Sequence, residues 1–224
     1  MSRRVRIALA LALFALPACA PTDTGNPPNA LDPGGLDAVL VMGVLLPQVQ
    51  LTGAAGAVDP PEGTVTLVSL DNPADLDRGL VAADGSFGPL IVNSEDGGEV
   101  RAFARVGGEL SRPVDYAYGA EAPTLAPTLD ACVDVSRLVV DVGVDAPSLV
   151  EITNRCAGAL DLEAGAIVGT GFSVDGASGH LEPGESVTLS FESASDAPRI
   201  ATLDVAVSGE RAGRARFSLV SEMR

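Results

Sequence analysis

The chain has 224 residues, of which 46% are hydrophobic and only 4% aromatic, and its formal net charge is -16. That length and apolar content suffice for a buried core, and with no Trp the core must come mainly from Val, Leu, Ala and Ile. The acidity excludes nucleic acid and a polybasic hold on anionic lipid, because both need clustered positive charge. At the N-terminus, Arg3, Arg4 and Arg6 precede the apolar run Ile7 to Leu16. The run is too short to cross a bilayer as a helix, which takes roughly 20 apolar residues. A basic flank, a short apolar run and a small residue at its end read as a secretory targeting segment over residues 1–18.

The run ends in Leu16, Pro17, Ala18 and Cys19. This tetrad resembles the lipobox of bacterial lipoproteins. The resemblance implies cleavage before Cys19, a diacylglycerol on its thiol and acyl chains such as palmitate at the new N-terminus. Each buried CH₂ adds about 0.8 kcal/mol, so several chains anchor a protein firmly where one does not. Ala20, rather than Asp, follows the cysteine, which in such lipoproteins resembles the pattern sent to the outer membrane, on its periplasmic face or the cell surface. The competing reading is an ordinary secretory signal cut after Ala18 or Ala20. Cleavage before Cys19 removes three Arg and leaves 11 against 30 acidic residues, a net charge of -19. There are three cysteines, and an odd number in an exported chain needs an explanation. If Cys19 carries lipid, Cys132 and Cys156 remain as a pair in an oxidising compartment. A disulfide there would stabilise the fold by roughly 3 kcal/mol through loop closure. The alternatives are two buried thiols or a two-Cys metal site, the latter short of ligands because the chain has one His.

Residues 19–35 are rich in Pro, Gly, Asn and Asp, have no apolar period, and are expected to form a flexible tether. From Leu36 onward the pattern is β, with period-2 alternation and turn residues at short intervals. Asp37 to Leu46 is expected to be a buried strand. In the segment 36–119, Asp84-Gly85 marks a turn between strands. Val100, Ala102, Ala104 and Val106 face one way and Arg101, Phe103 and Arg105 the other. The order of strand, D-G-S-F turn and strand between Gly63 and Tyr116 resembles the carboxypeptidase-regulatory-like, transthyretin-type β-sandwich. Residues 120–131, with two Pro and no pattern, are expected to link this segment to a second one, 132–224. There "VEITN" from Val150 and "LEPGES" from Leu181 resemble the Ig-like domains of the abnormal-spindle and hydin type. The expected inward set is Val150, Ile152, Leu160, Leu162, Val187, Leu189, Phe191, Leu203, Val205, Phe217 and Leu219. The Cys132–Cys156 pair is too close in sequence for an antibody-type inter-sheet bridge and is expected to pin a strand end. The fold class is thus all-β, two tandem Ig-like sandwiches after a signal and a tether.

Candidate chemistry is sparse. Ser178 lies two residues from the single His180, but His stands where a G-x-S-x-G elbow needs Gly, so His180 is read as a solvated loop residue. Asp71, Asn72, Asp75 and Asp77, with Asn93, Glu95, Asp96 and Glu99, raise a calcium question. They lack D-x-D-x-D-G spacing and are read as solvated turns. No catalytic residue, metal or cofactor is expected. The expected role is a non-catalytic structural or protein-binding lipoprotein, with the membrane and other envelope proteins as partners. Exposed sheet edges would take an extended segment by strand addition. The alternative is a polysaccharide-binding surface lipoprotein, which requires Tyr116, Tyr118 or Phe172 to ring a groove rather than lie buried.

Overall fold

The computed structural model describes residues 30–43, 46–93, 97–118, 123–126, 132–176, 178–194, 197, 199–210 and 212–221. Cys19, Glu95 and Asp96 lie outside them. Among the described residues, the first half holds a single-turn 3-10 helix at Pro33–Gly35 and nine strands. These are β1 (Leu36–Met42), β2 (Pro47–Gly53), β3 (Thr64–Ser69), β4 (Leu76–Leu80), β5 (Phe87–Asn93), β6 (Glu99–Val106), β7 (Glu109–Leu110), β8 (Val114–Ala117) and β9 (Thr124–Leu125). The second half holds β10 (Val133–Val135), β11 (Val139–Asp141), β12 (Ser148–Asn154), β13 (Leu160–Val168), β14 (Phe172–Asp175), β15 (Gly179–Leu181), β16 (Ser186–Ser193), β17 (Arg199–Gly209) and β18 (Gly213–Ser221).

Among the described residues the strands form four sheets, and the fold is an all-β sandwich architecture. Sheet β1-β2-β5 packs against sheet β4-β3-β6-β8-β9, with β7 beside β6. Sheet β10-β12-β16-β14 packs against β11-β18-β17-β13-β15. Pairing is antiparallel except for β11, which runs parallel to β18. Period-2 alternation explains the cores: Val100, Ala102, Ala104 and Val106 of β6 all point into the first. Every residue of the expected inward set packs into or against the second.

Asp84-Gly85 does form a turn, with Gly85 at φ +83° and its N–H donating to Ala82 O. A Cβ there would lie 2.7 Å from Val58 O, so glycine is required. Ser86 donates through both Oγ and N–H to Asp84 Oδ1, and these bonds, the side-chain one foremost, hold the Asp84 carboxyl below its ordinary value. The turn passes the chain from one sheet to the other, since β4 and β5 belong to opposite sheets.

Three sequence expectations need adjustment. The run from Asp37 does form a strand, but not a buried one: β1 is a sheet edge, and Val39 and Met42 are exposed. One face of a three-stranded sheet is covered and the other is not. The last residues of the expected tether are docked: Ala30 and Leu31 are buried in the first core, and Leu31 bridges Val58. Asp32 caps the 3-10 helix Pro33–Gly35, and residues 19–29 of that tether lie outside the described residues. Within the expected linker, Thr124 and Leu125 pair with Ala117 and Tyr116, adding a short edge strand that two residues are too few to announce.

Arg101, Phe103 and Arg105 do face away from the first core, on the outer side of β6. Arg101 and Phe103 on that side are buried as well, because the two sheet pairs meet there. Val68, Phe103, Leu110, Val139, Ile200 and Val220 form a third apolar cluster between them. Arg101, 1% exposed, lies in the same joint. Its Nε and Nη2 donate to the two Asp115 carboxylate oxygens, both at 2.7 Å, in a fork-to-fork pair. Its Nη1 crosses to the second sheet pair, donating to Arg216 O at 2.7 Å, Leu138 O at 3.1 Å and Ser218 Oγ at 3.2 Å. Arg216 returns the arrangement, donating to Asp71, Glu99 and Leu70 O of the first pair and to Asp204 on β17. Burial opposes the Arg216 charge, but the bonds to Asp71 and Asp204 more than offset it and hold the guanidinium charged above its ordinary range.

Candidate functional site

Beside this joint the two sheet pairs part into a cleft of about 910 Å³. That volume falls in the range of ligand sites, about 300–1,000 Å³. Two sheet edges border it. β9 ends one sheet and β10 ends another, and both line the cleft. In the antiparallel ladder with β12, Cys132 O accepts from Arg155 N–H and Ser136 N–H donates to Glu151 O. Antiparallel neighbours alternate between bonded and open pairs, so Val133 and Val135 turn their backbone groups to the open side of β10. Leu125, largely exposed, stands likewise on the open side of β9, since Ala126 N–H donates to Asp115 O in the ladder with β8. The Cys132–Cys156 disulfide joins the residue before β10 to the second residue after β12. It pins this edge in place, as the sequence reading expected of the pair.

The cleft concentrates positive charge in an acidic chain. Five of the 14 arginines line it: Arg101, Arg112, Arg137, Arg214 and Arg216. Its carboxylates are already paired. Asp115 pairs with Arg101, Glu99 with Arg214 and Arg216, and Asp134 with Arg155. Arg112 and Arg137 are left without a carboxylate among the described residues. Arg137 Nε is buried there without an acceptor among the described residues, a situation that costs about 1–3 kcal/mol unless a partner or water meets it. Reading along the chain missed this site because its residues come from β6, β8, β9, β10, β18 and the loops before β8 and after β10, and no local spacing joins them.

The other candidates fall elsewhere. Asp75 and Asp77 on the edge of β4 reach across to β5, where they accept the Asn93 and Ile91 N–H groups, both at 2.9 Å. Asp71 accepts the Glu99 N–H and pairs with Arg216. These carboxylates tie strands and sheet pairs together, and no group of metal-ligating side chains forms among the described residues. Tyr116 and Tyr118 are buried in the first core, and Phe172 packs against the second. Burial, and then the nearby Asp37 charge, push the Tyr116 phenol above its ordinary value. No helix among the described residues is long and apolar enough to cross a membrane.

His180 is exposed on β15, with Nδ1 2.7 Å from Asp161 Oδ1 and Nε2 3.4 Å from Glu182. Ser178 Oγ accepts the Ala164 N–H instead of meeting the imidazole. The hydrogen bond to Asp161, and then that to Glu182, raise the His180 pKa. A raised value means that the charged form stabilises the fold fully below about pH 6.5 and that this contribution fades as pH rises through the folded value. Because His180 is the single His, one imidazole signal by NMR should titrate above about 6.5. Asp161→Asn should bring the midpoint down; an unchanged midpoint would show that the Asp161 contact does not exist in solution.

No family model matches the chain, and no curated protein does. Among solved structures, a β-glycosidase from Bacteroides vulgatus is similar at 14% identity with a TM-score of 0.24. The match covers 85% of this chain but 24% of that one, so the chain spans about a quarter of the glycosidase, and the likeness carries no argument about activity.

Proposed function

We propose that this chain is a non-catalytic outer-membrane lipoprotein that holds another protein of the cell envelope. In this reading Cys19 carries the lipid and the residues after it form the tether. The two sheet pairs are the regulatory-like and hydin-like modules that the sequence resembles. Anchoring rests on the Leu16 to Cys19 lipobox. Binding rests on one observation: a cleft bordered by two open sheet edges, whose backbone groups suit an extended partner strand. The polysaccharide alternative loses its support, because the tyrosines that would stack on sugar are in the core.

Mass spectrometry of the mature N-terminus tests the anchor. The expected result is an acylated Cys19 as first residue, with Cys19→Ser leaving the chain unprocessed and without lipid. A free Cys19 thiol or cleavage elsewhere overturns the anchor. A photo-crosslinking residue at exposed Leu125 tests the binding role in the native envelope. Discrete protein adducts from that position are expected, and their absence there and from a scan of the remaining surface overturns it.

A further inference from the structure

The same cleft has a chemical preference that its edges alone do not specify. Resting on the protein-binding reading, we infer that the partner segment is acidic: an extended strand that adds to β10 and places an Asp or Glu side chain on Arg112 and Arg137. Three observations converge. The open side of β10 presents the Val133 and Val135 backbone groups, which take an extended chain without regard to sequence. Val114, Val133 and Leu138 give the same cleft apolar walls, which suit alternate apolar side chains. Among the described residues, Arg112 and Arg137 line it with no carboxylate partner, while each acidic group of the cleft is paired with another arginine.

The buried Arg137 Nε sharpens the choice of anion. A guanidinium presents a planar fork of donors that matches a carboxylate bidentately, and Nε belongs to that fork. The overall charge of -16 does not forbid an acidic partner. At physiological ionic strength repulsion is screened beyond about 8 Å, so the arginines at the contact dominate over distant surface carboxylates. The surplus charge also supplies specificity: an acidic segment that misses the cleft meets a chain of strongly negative net charge.

The test uses the mature lipidated protein in detergent micelles. The probes are N-acetylated, C-amidated peptides of about six residues, a common strand length, alternating Val or Thr with a single Glu scanned through each position, and their Gln isosteres. Binding is read by fluorescence anisotropy. The Glu peptides should bind about tenfold tighter than their Gln isosteres in at least one register, as a charge-assisted pair replaces a neutral one. The double variant Arg112→Ala, Arg137→Ala should lose that difference while still binding the Gln peptides. Neither arginine's side chain holds a hydrogen bond to another described residue, and the bond that the Arg112 carbonyl accepts from Ser111 Oγ survives truncation, so the variant should fold, which far-UV circular dichroism checks. Equal binding of Glu and Gln peptides, an unchanged preference in the double variant, or no binding in any register overturns the proposal. Crosslinks from Leu125 that persist with no acidic preference would leave the protein-binding reading standing and this proposal refuted. Loss of all crosslinks would refute the reading beneath it.

Discussion

Replacing Arg101 with alanine should destabilise the protein by about 3–5 kcal/mol and split a single unfolding transition into two. The magnitude follows from what the side chain holds. Arg101 is 1% exposed and donates to Asp115, Arg216 O, Leu138 O and Ser218 Oγ. Its loss strips donors from acceptors in the joint and leaves the Asp115 carboxylate without its counter-ion. Asp115 is 24% exposed, so water recovers part of that loss, and the lower end of the range is the better expectation. Against a total stability of about 5–15 kcal/mol the effect is large. The splitting follows from where Arg101 sits. It bonds across the joint, and the cores on either side keep their own apolar clusters when it is gone.

The molecule supplies a probe for each half. It has two tyrosines and no Trp, and both tyrosines lie in the first core. Tyrosine fluorescence therefore follows the first sheet pair alone, while far-UV circular dichroism follows both. In urea the two signals should coincide for the wild type and separate for Arg101→Ala. Coincident curves with an unchanged midpoint would show that the joint contributes nothing. Arg101→Lys should fall in between, since an ammonium keeps the charge but cannot fork onto Asp115.

The joint also marks where sequence reading stops. Alternation placed Val100, Ala102, Ala104 and Val106 on one face of β6 because a strand repeats every two residues and one face of a sheet must be covered. It could not say that the face carrying Arg101, Phe103 and Arg105 would be covered too, because arginine on the opposite face is what a solvated surface also looks like. β18 hid it too: Ala215 to Ser221 are buried without interruption, yet Arg216 and Ser218 alternate with apolar residues as on a strand with one solvated face. A strand covered on both faces ordinarily shows a near-continuous apolar run, which β18 lacks because its joint-facing polar groups are hydrogen-bonded. The acidic loops were opaque for another reason. Asp75 and Asp77 serve β5, 14 to 18 residues away, so their spacing within the loop carries no information about their role. The cysteine pair was legible because counting thiols needs no geometry.

Phe217→Ala should cost about 3–5 kcal/mol and, unlike Arg101→Ala, should lower both unfolding signals together. Phe217 is wholly buried in the second core, its ring centroid 5.8 Å from that of Phe191 at a tilt of 46°. Truncation removes apolar surface and leaves a cavity that two sheets cannot both collapse into. The coupling comes from β18 itself. Ala215, Phe217 and Leu219 point into the second core, whereas Arg216, Ser218 and Val220 face the joint. A shift of β18 into the cavity therefore displaces the acceptors of Arg101 and the donors that Arg216 sends to Asp71 and Glu99. The urea midpoint should fall equally by tyrosine fluorescence and by circular dichroism, although both tyrosines are in the other sheet pair. As a reference, Leu149→Ala on the exposed face of β12 should stay within about 0.5 kcal/mol of wild type. A fluorescence midpoint unmoved by Phe217→Ala would mean that the two sheet pairs fold independently, and the buried arginines would then be a contact without cooperative consequence. A common shift would establish β18 as the strand through which each half depends on the other.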